Sequence, residues 1–127
     1  MRILIIDDDE LTLIALSEKL KAKGRELLTA KDSLKALTMI NSENIDLIIC
    51  DVIMPGVSAL SLLSILNRYE AKRIPLIIIS YLSSADTIRQ SLNLEVLDFF
   101  TKPIDYRRLG LLIDKIEKKL VKTILPG

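Results

Sequence analysis

The chain has 127 residues, of which half are hydrophobic and 28% charged, the balance of one folded domain with a substantial core rather than of a disordered segment. A formal net charge of +1 generates no broad field, so neither nucleic acid nor an anionic membrane surface is implied as a partner. A single cysteine, Cys50, excludes an internal disulfide, and the absence of histidine removes the usual zinc sites. A reducing, cytoplasmic setting is therefore expected; no apolar run reaches membrane-spanning length, and the first one is ended too quickly by acids to be a signal peptide.

Taken in order, short apolar runs alternate with longer amphipathic ones. Residues 3–6 form the first run and end in Asp7, Asp8, Asp9 and Glu10. Leu13, Leu16 and Leu20 then recur at helical spacing, with Lys19, Lys21 and Lys23 near the end and Gly24 as a stop, which predicts a helix reaching Lys23. Residues 25–30 read as a weaker strand, and Asp32 as the N-cap of a helix through Leu34, Leu37 and Ile40 to Asn41. Residues 47–50 are uniformly apolar, which suits a strand buried on both faces of a parallel sheet; Asp51 closes it before the Pro55-Gly56 turn. Ser58 caps a predicted helix bearing Leu60, Leu63, Ile65 and Leu66 toward Lys72, and residues 76–79 form a fourth strand ending at Ser80. A short helix over 85–92 and a fifth strand over 96–100 follow. A last helix, capped by Asp105, carries Leu109, Leu112, Ile113, Ile116 and Leu120 on one stripe. Five β-α units without repeats or linkers predict an α/β fold: a single domain over 1–127, a three-layer α/β/α sandwich with a five-stranded parallel sheet and five helices.

In such a sheet the carboxyl ends of strands one, three, four and five bring Asp7 and Asp8, Asp51, Ser80 and Lys102 to one rim, where open α/β sheets bind ligands. Three carboxylates within about 5 Å of one another repel by roughly 3 kcal/mol per pair at an effective dielectric near 20, so the cluster needs protons or a cation. An all-oxygen set favours Mg²⁺. A metal beside Asp51 could hold a phosphoryl group against that carboxylate as nucleophile, giving an aspartyl phosphate. Ser80 would then hydrogen-bond one phosphoryl oxygen and Lys102 offset another with its ammonium. Asp9 and Glu10 read only as acids favoured by the helix dipole, and Lys115, Lys118, Lys119 and Lys122 as a solvated helix face.

These residues resemble, over essentially the whole chain, the receiver domain of two-component response regulators. The acidic pair after strand one is similar to Asp7 and Asp8, the phosphoacceptor to Asp51 within D-V-I-M-P-G, the switch hydroxyl to Ser80, and the lysine to Lys102 within T-K-P. The resemblance implies a flavodoxin-like strand order 2-1-3-4-5, adopted by analogy. It implies direct Mg²⁺ coordination by Asp8, Asp51 and the backbone carbonyl of Ile53, with Asp7 acting largely through water, and a cis Lys102-Pro103 bond. It also implies a phosphohistidine donor, on a sensor histidine kinase or a histidine phosphotransfer protein, since this chain has no histidine of its own. Signalling would follow from a shift between two conformations in which Ser80 moves toward the phosphoryl group and the strand-five aromatic Phe99 changes rotamer. A downstream protein target, or an output domain outside this chain, would receive the signal, and a homodimer is compatible with it. Direct nucleic-acid binding, membrane attachment and turnover of an external substrate are not expected.

The sequence departs from the family pattern in several places. Tyr81 stands where a small residue usually follows the switch hydroxyl, a bulky side chain at the mouth of the site. Ser58 and Ala59 replace the acid and glycine common after M-P-G, and Glu95-Val96 the usual Gly-Ala before strand five. Ile53 and Leu82, two residues beyond Asp51 and Ser80, are apolar and offer no group to orient an attacking water, so slow self-hydrolysis is expected. A competing reading is a haloacid-dehalogenase-like phosphatase using Asp7 as nucleophile, since Asp7-Asp8-Asp9 satisfies its D-x-D spacing. It leaves Asp51 unexplained and lacks the later acidic pair. A third is a phosphorylation-independent interaction module on the same fold.

Overall fold

A computed structural model of the chain describes residues 1–51, 74–81 and 96–124, with side chains to Val121. The elements are β1 (Arg2–Ile6), α1 (Glu10–Lys19), β2 (Glu26–Ala30), α2 (Ser33–Ser42), β3 (Leu47–Asp51), β4 (Leu76–Ser80), β5 (Val96–Thr101) and α3 (Tyr106–Ile124). All five strands join one parallel sheet in the order β2-β1-β3-β4-β5, as the flavodoxin-like expectation has it. The helices predicted from Ser58 toward Lys72 and over 85–92 lie outside the described residues, so three of the five expected helices are described. None of the helices described is long and apolar enough to cross a membrane.

The central strands are buried on both faces because their side chains alternate between two apolar layers. Leu4 and Ile6 of β1, Ile48 and Cys50 of β3, and Leu76 and Ile78 of β4 pack with Ala36 of α2 on one side of the sheet. Ile3, Ile5, Leu47, Ile49, Ile77 and Ile79 pack on the other, against Leu13 and Leu16 of α1 and Leu109 and Ile113 of α3. Each fully buried Leu or Ile contributes about 1.5–3 kcal/mol relative to exposure, so the alternation fixes strand register: a slip of one residue would exchange the layers.

Of the three predicted caps, Ser58 lies outside the described residues and the other two form. Asp32 accepts from the Lys35 N–H at 2.8 Å and Asp105 from the Arg108 N–H at 3.1 Å, each satisfying an otherwise orphaned first-turn donor. Helix α1 is shorter than the sequence predicts: it ends at Lys19 with Leu20 as its cap, not at Lys23. The cause is tertiary. In a continuing helix the Leu20 carbonyl would accept from Gly24, but the Arg25 guanidinium takes it at 2.6 Å, and Gly24 turns the chain at φ +77°, a conformation that favours glycine.

The same Arg25 side chain, 6% exposed, reaches α3, where it pairs with Asp114 at 3.2 Å and with Glu117. One buried cation thus ties the end of α1 to the middle of α3. Arg25→Ala should therefore lower stability by about 2–3 kcal/mol, read as a lower urea midpoint with an unchanged slope; a midpoint shift within error of zero contradicts this clamp.

Candidate functional site

Backbone hydrogen bonding aligns the strand ends. The ladder continues past β1, where the Asp7 N–H donates to the Ala30 carbonyl at 3.1 Å, and past β5, where the Lys102 N–H donates to the Ser80 carbonyl at 2.9 Å. In register, Asp51 sits opposite Ile79, and Ser80 opposite Thr101. Asp7, Asp51 and Ser80 are all buried, and Asp8 is exposed at the edge of the group.

Lys102 closes the rim. Its ammonium donates to Asp7 Oδ2 at 2.8 Å and to Asp51 Oδ2 at 2.9 Å, and its side chain is only 5% exposed. The other oxygen of Asp7, Oδ1, accepts the Asp9 N–H at 2.9 Å. Asp9 does double service, because its own carboxylate caps α1 through the Leu11 N–H at 3.2 Å and the Thr12 hydroxyl at 2.8 Å. The Lys102-Pro103 peptide is cis.

The electrostatics follow from burial of like charges beside one cation. Burial pushes the Asp7 carboxyl above its ordinary range, against the hydrogen bonds from Lys102 and the Asp9 N–H, and the charge of Asp51 adds to the rise. For Lys102, burial alone would lower the ammonium, but the hydrogen bonds and charges of Asp7 and Asp51 together outweigh it and hold the group above its usual value; it stays protonated. Burial, and after it the charges of Asp51 and Asp7, push the Cys50 thiol up. Cys50 therefore remains a thiol, its Sγ donating to the Asp51 carbonyl at 3.2 Å, and is no nucleophile.

Asp7, Asp8 and Asp51 each offer one carboxylate oxygen, and these oxygens lie within 4.8 Å of one another. That donor set fits a hard divalent cation with oxygen ligands. Of the other residues singled out from the sequence, Ile53 and Leu82 lie outside the described residues. Phe99 is on β5 but 37% exposed, whereas its neighbour Phe100 is 3% exposed and packs in the core. Arg108 lies 3.9 Å over the Phe100 ring and donates to the Phe99 carbonyl at 2.7 Å. Lys115 and Lys118 are exposed, as a solvated face requires. What sequence reasoning missed is that Lys102 contacts the ring of Tyr81, with 5.0 Å from Nζ to the centroid; such a contact is worth about 0.5–1 kcal/mol when exposed.

A buried lysine shared by two carboxylates at the ends of β1 and β3 is joined by a family match. The chain matches the response regulator receiver domain over residues 3–114. It belongs to that family. Among curated relatives, this receiver is 35% identical over 107 residues to the two-component response regulator-like PRR37 of rice, covering 82% of this chain and 14% of that protein. It is 37% identical over 105 residues to the response regulator PleD of Caulobacter vibrioides, covering 82% of this chain and 23% of that one. The chain thus spans under a quarter of the length of either relative. The receiver domain of the Francisella response regulator 1452 superposes with a TM-score of 0.81 at 30% identity, covering 94% of this chain and 98% of that one. The response regulator TrrA of Thermotoga maritima, in complex with Mg(2+)-BeF, superposes with a TM-score of 0.78 at 28% identity, covering 91% and 97%. The receiver family has a phosphoacceptor fold, and the phosphatase reading with Asp7 as nucleophile is not supported: the match runs through Asp51, which that reading left without a role.

Removing the bridging cation tests the electrostatics. In metal-free buffer Lys102→Met should cost about 3 kcal/mol at about pH 7, because two buried carboxylates lose their partner. Asp7 ionises near 3.9 when unfolded but higher when folded, so the penalty is full above its folded value and shrinks as pH falls through it. Urea unfolding should show the gap between variant and native protein narrowing as the pH falls through the raised folded-state value of Asp7; a constant gap contradicts the account.

Proposed function

We propose that residues 1–127 act as one receiver domain in which Asp51 accepts a phosphoryl group from a phosphohistidine supplied in trans. The observation that carries this reading is the Lys102 ammonium held between Asp7 and Asp51, since it places a cation against the acceptor carboxylate before any phosphoryl group arrives. The donor's P–N bond breaks, a P–O bond to an Asp51 oxygen forms, and the leaving imidazole keeps or takes up the proton. Positioning and charge neutralisation are the protein's contribution, and the donor bond supplies the driving force.

Each residue has a role in this reading. Asp8 and Asp51, with the backbone carbonyl of Ile53, would hold Mg²⁺, and Asp7 would act through water. When bound, the ion supplies charge neutralisation at the phosphoryl oxygens. Lys102 shifts from the Asp51 carboxylate to a phosphoryl oxygen of the product, and the Ser80 hydroxyl donates to another. Ser80 moving inward and Phe99 changing rotamer would carry the signal to a partner; Phe99 starts from a partly exposed position on β5. The donor is a sensor histidine kinase or a histidine phosphotransfer protein in the cytoplasm, and the receiver of the signal is a downstream protein or a linked output domain. The domain turns over no external substrate beyond its own phosphorylation and slow release.

Incubation with acetyl phosphate and Mg²⁺, followed by intact mass, tests the reading. The native protein should gain one phosphoryl group and Asp51→Asn none. Uptake retained in Asp51→Asn and mapped to Asp7 would return the phosphatase mechanism, and no uptake by native protein would favour a phosphorylation-independent module.

A further inference from the structure

Among the described strands the sheet ends at β5, and the chain closes that edge with its own side chains. The Lys102 N–H, just past β5, donates to the Ser80 carbonyl of β4. Backbone groups of successive residues alternate in direction along a strand, so those of Phe99, three residues earlier, point away from β4. Both are taken. The Phe99 N–H donates to Asp98 Oδ1 at 2.7 Å, and the Phe99 carbonyl accepts from Arg108 Nη2 of α3 at 2.7 Å. Arg108 completes the bracket, lying 3.8 Å from Asp98 Oδ2 and 3.9 Å over the Phe100 ring. Beside the bracketed groups stand two partly exposed apolar side chains, Leu97 and Phe99.

We infer that the β5 edge is a strand-pairing surface for a second copy of this chain, held closed by the Asp98–Arg108 bracket. The occupant follows from self-complementarity. In an antiparallel pair two residues directly opposite exchange both N–H···O bonds, so Phe99 of one copy offers Phe99 of another the donor and the acceptor that each needs, and Leu97 then faces Thr101. An unpaired edge bearing apolar side chains is a template for such pairing. Here the block lies in hydrogen bonding rather than in charge alone, because both outward groups of the middle residue are occupied. The inference rests on the sheet and not on the reading of Asp51 as acceptor.

The Asp98 and Arg108 side chains are 44% and 53% exposed, so D98A, R108A and D98A/R108A should fold, which circular dichroism checks. In dilute protein, amide hydrogen exchange at Phe99, followed by NMR, should be about fivefold faster in D98A than in native protein. It should stay near native in D98N, which gives up the charge but keeps an acceptor oxygen. In concentrated protein D98A/R108A should sediment as a heavier species than native protein or D98N, and its Phe99 exchange should slow as concentration rises, because a partner strand then holds that amide. R108A and D98A each free one of the two groups and keep the sedimentation test if the double variant fails to fold. Four results overturn the proposal: Phe99 exchange in dilute D98A equal to native; D98A/R108A sedimenting like native protein; association with Phe99 exchange independent of concentration, which puts the contact elsewhere; and D98N associating as strongly as D98A/R108A, which makes charge rather than bonding the block.

Discussion

A single ammonium shared by two buried carboxylates is the constraint on which this molecule turns. Asp7 and Asp51 end adjacent parallel strands and would repel each other in the low dielectric of the sheet end. Lys102, arriving from β5 on the far side of β4, makes that proximity tolerable. The arrangement is held but not satisfied: the carboxyl of Asp7 stays above its ordinary range even with the lysine present. A site in that condition has much to gain from a further cation and from a phosphoryl group that gives the lysine a new partner. Under the proposed acceptor role of Asp51, stability and function draw on the same charges.

The fold contributes by making the convergence automatic. Parallel strands all present their carboxyl ends on the same side, so residues far apart in sequence meet without any local motif. The apolar layers on both faces of the sheet fix the register, and with it the heights at which Asp7, Asp51 and Ser80 emerge. Asp9 links the site to helix α1, because the residue that caps the helix also orients Asp7 through its N–H. A change at that cap would be felt in both places.

Strands β1, β3 and β4 were legible in the sequence because a short uniform apolar run has few other fates, and Asp32 and Asp105 because a cap is a local interaction. The end of α1 was not legible, since Arg25 settles it through contacts with Leu20, Asp114 and Glu117 that periodicity does not encode. On β5 the two phenylalanines could not be told apart from spacing alone. Burial alternates along β5 and leaves Phe100 inward and Phe99 partly outward, but which of the two phases faces the core is settled by tertiary packing, not by the run itself. The convergence of Asp7, Asp8, Asp51 and Lys102 was readable by type and position, but the sharing of Lys102 between Asp7 and Asp51, and its contact with Tyr81, belong to tertiary geometry. Tyr81 was visible only as a departure from a family pattern.

The central claim is that Asp51, beside Asp7, Asp8 and Lys102, forms one pocket for a divalent cation and a phosphoryl group. Fluorine NMR of beryllium fluoride, a phosphoryl mimic, measures that most directly. A bound signal should arise only when Mg²⁺ is present and should vanish in Asp51→Asn. A bound signal that persists without Mg²⁺ or in Asp51→Asn, or no bound signal in native protein at saturating Mg²⁺, would contradict the account.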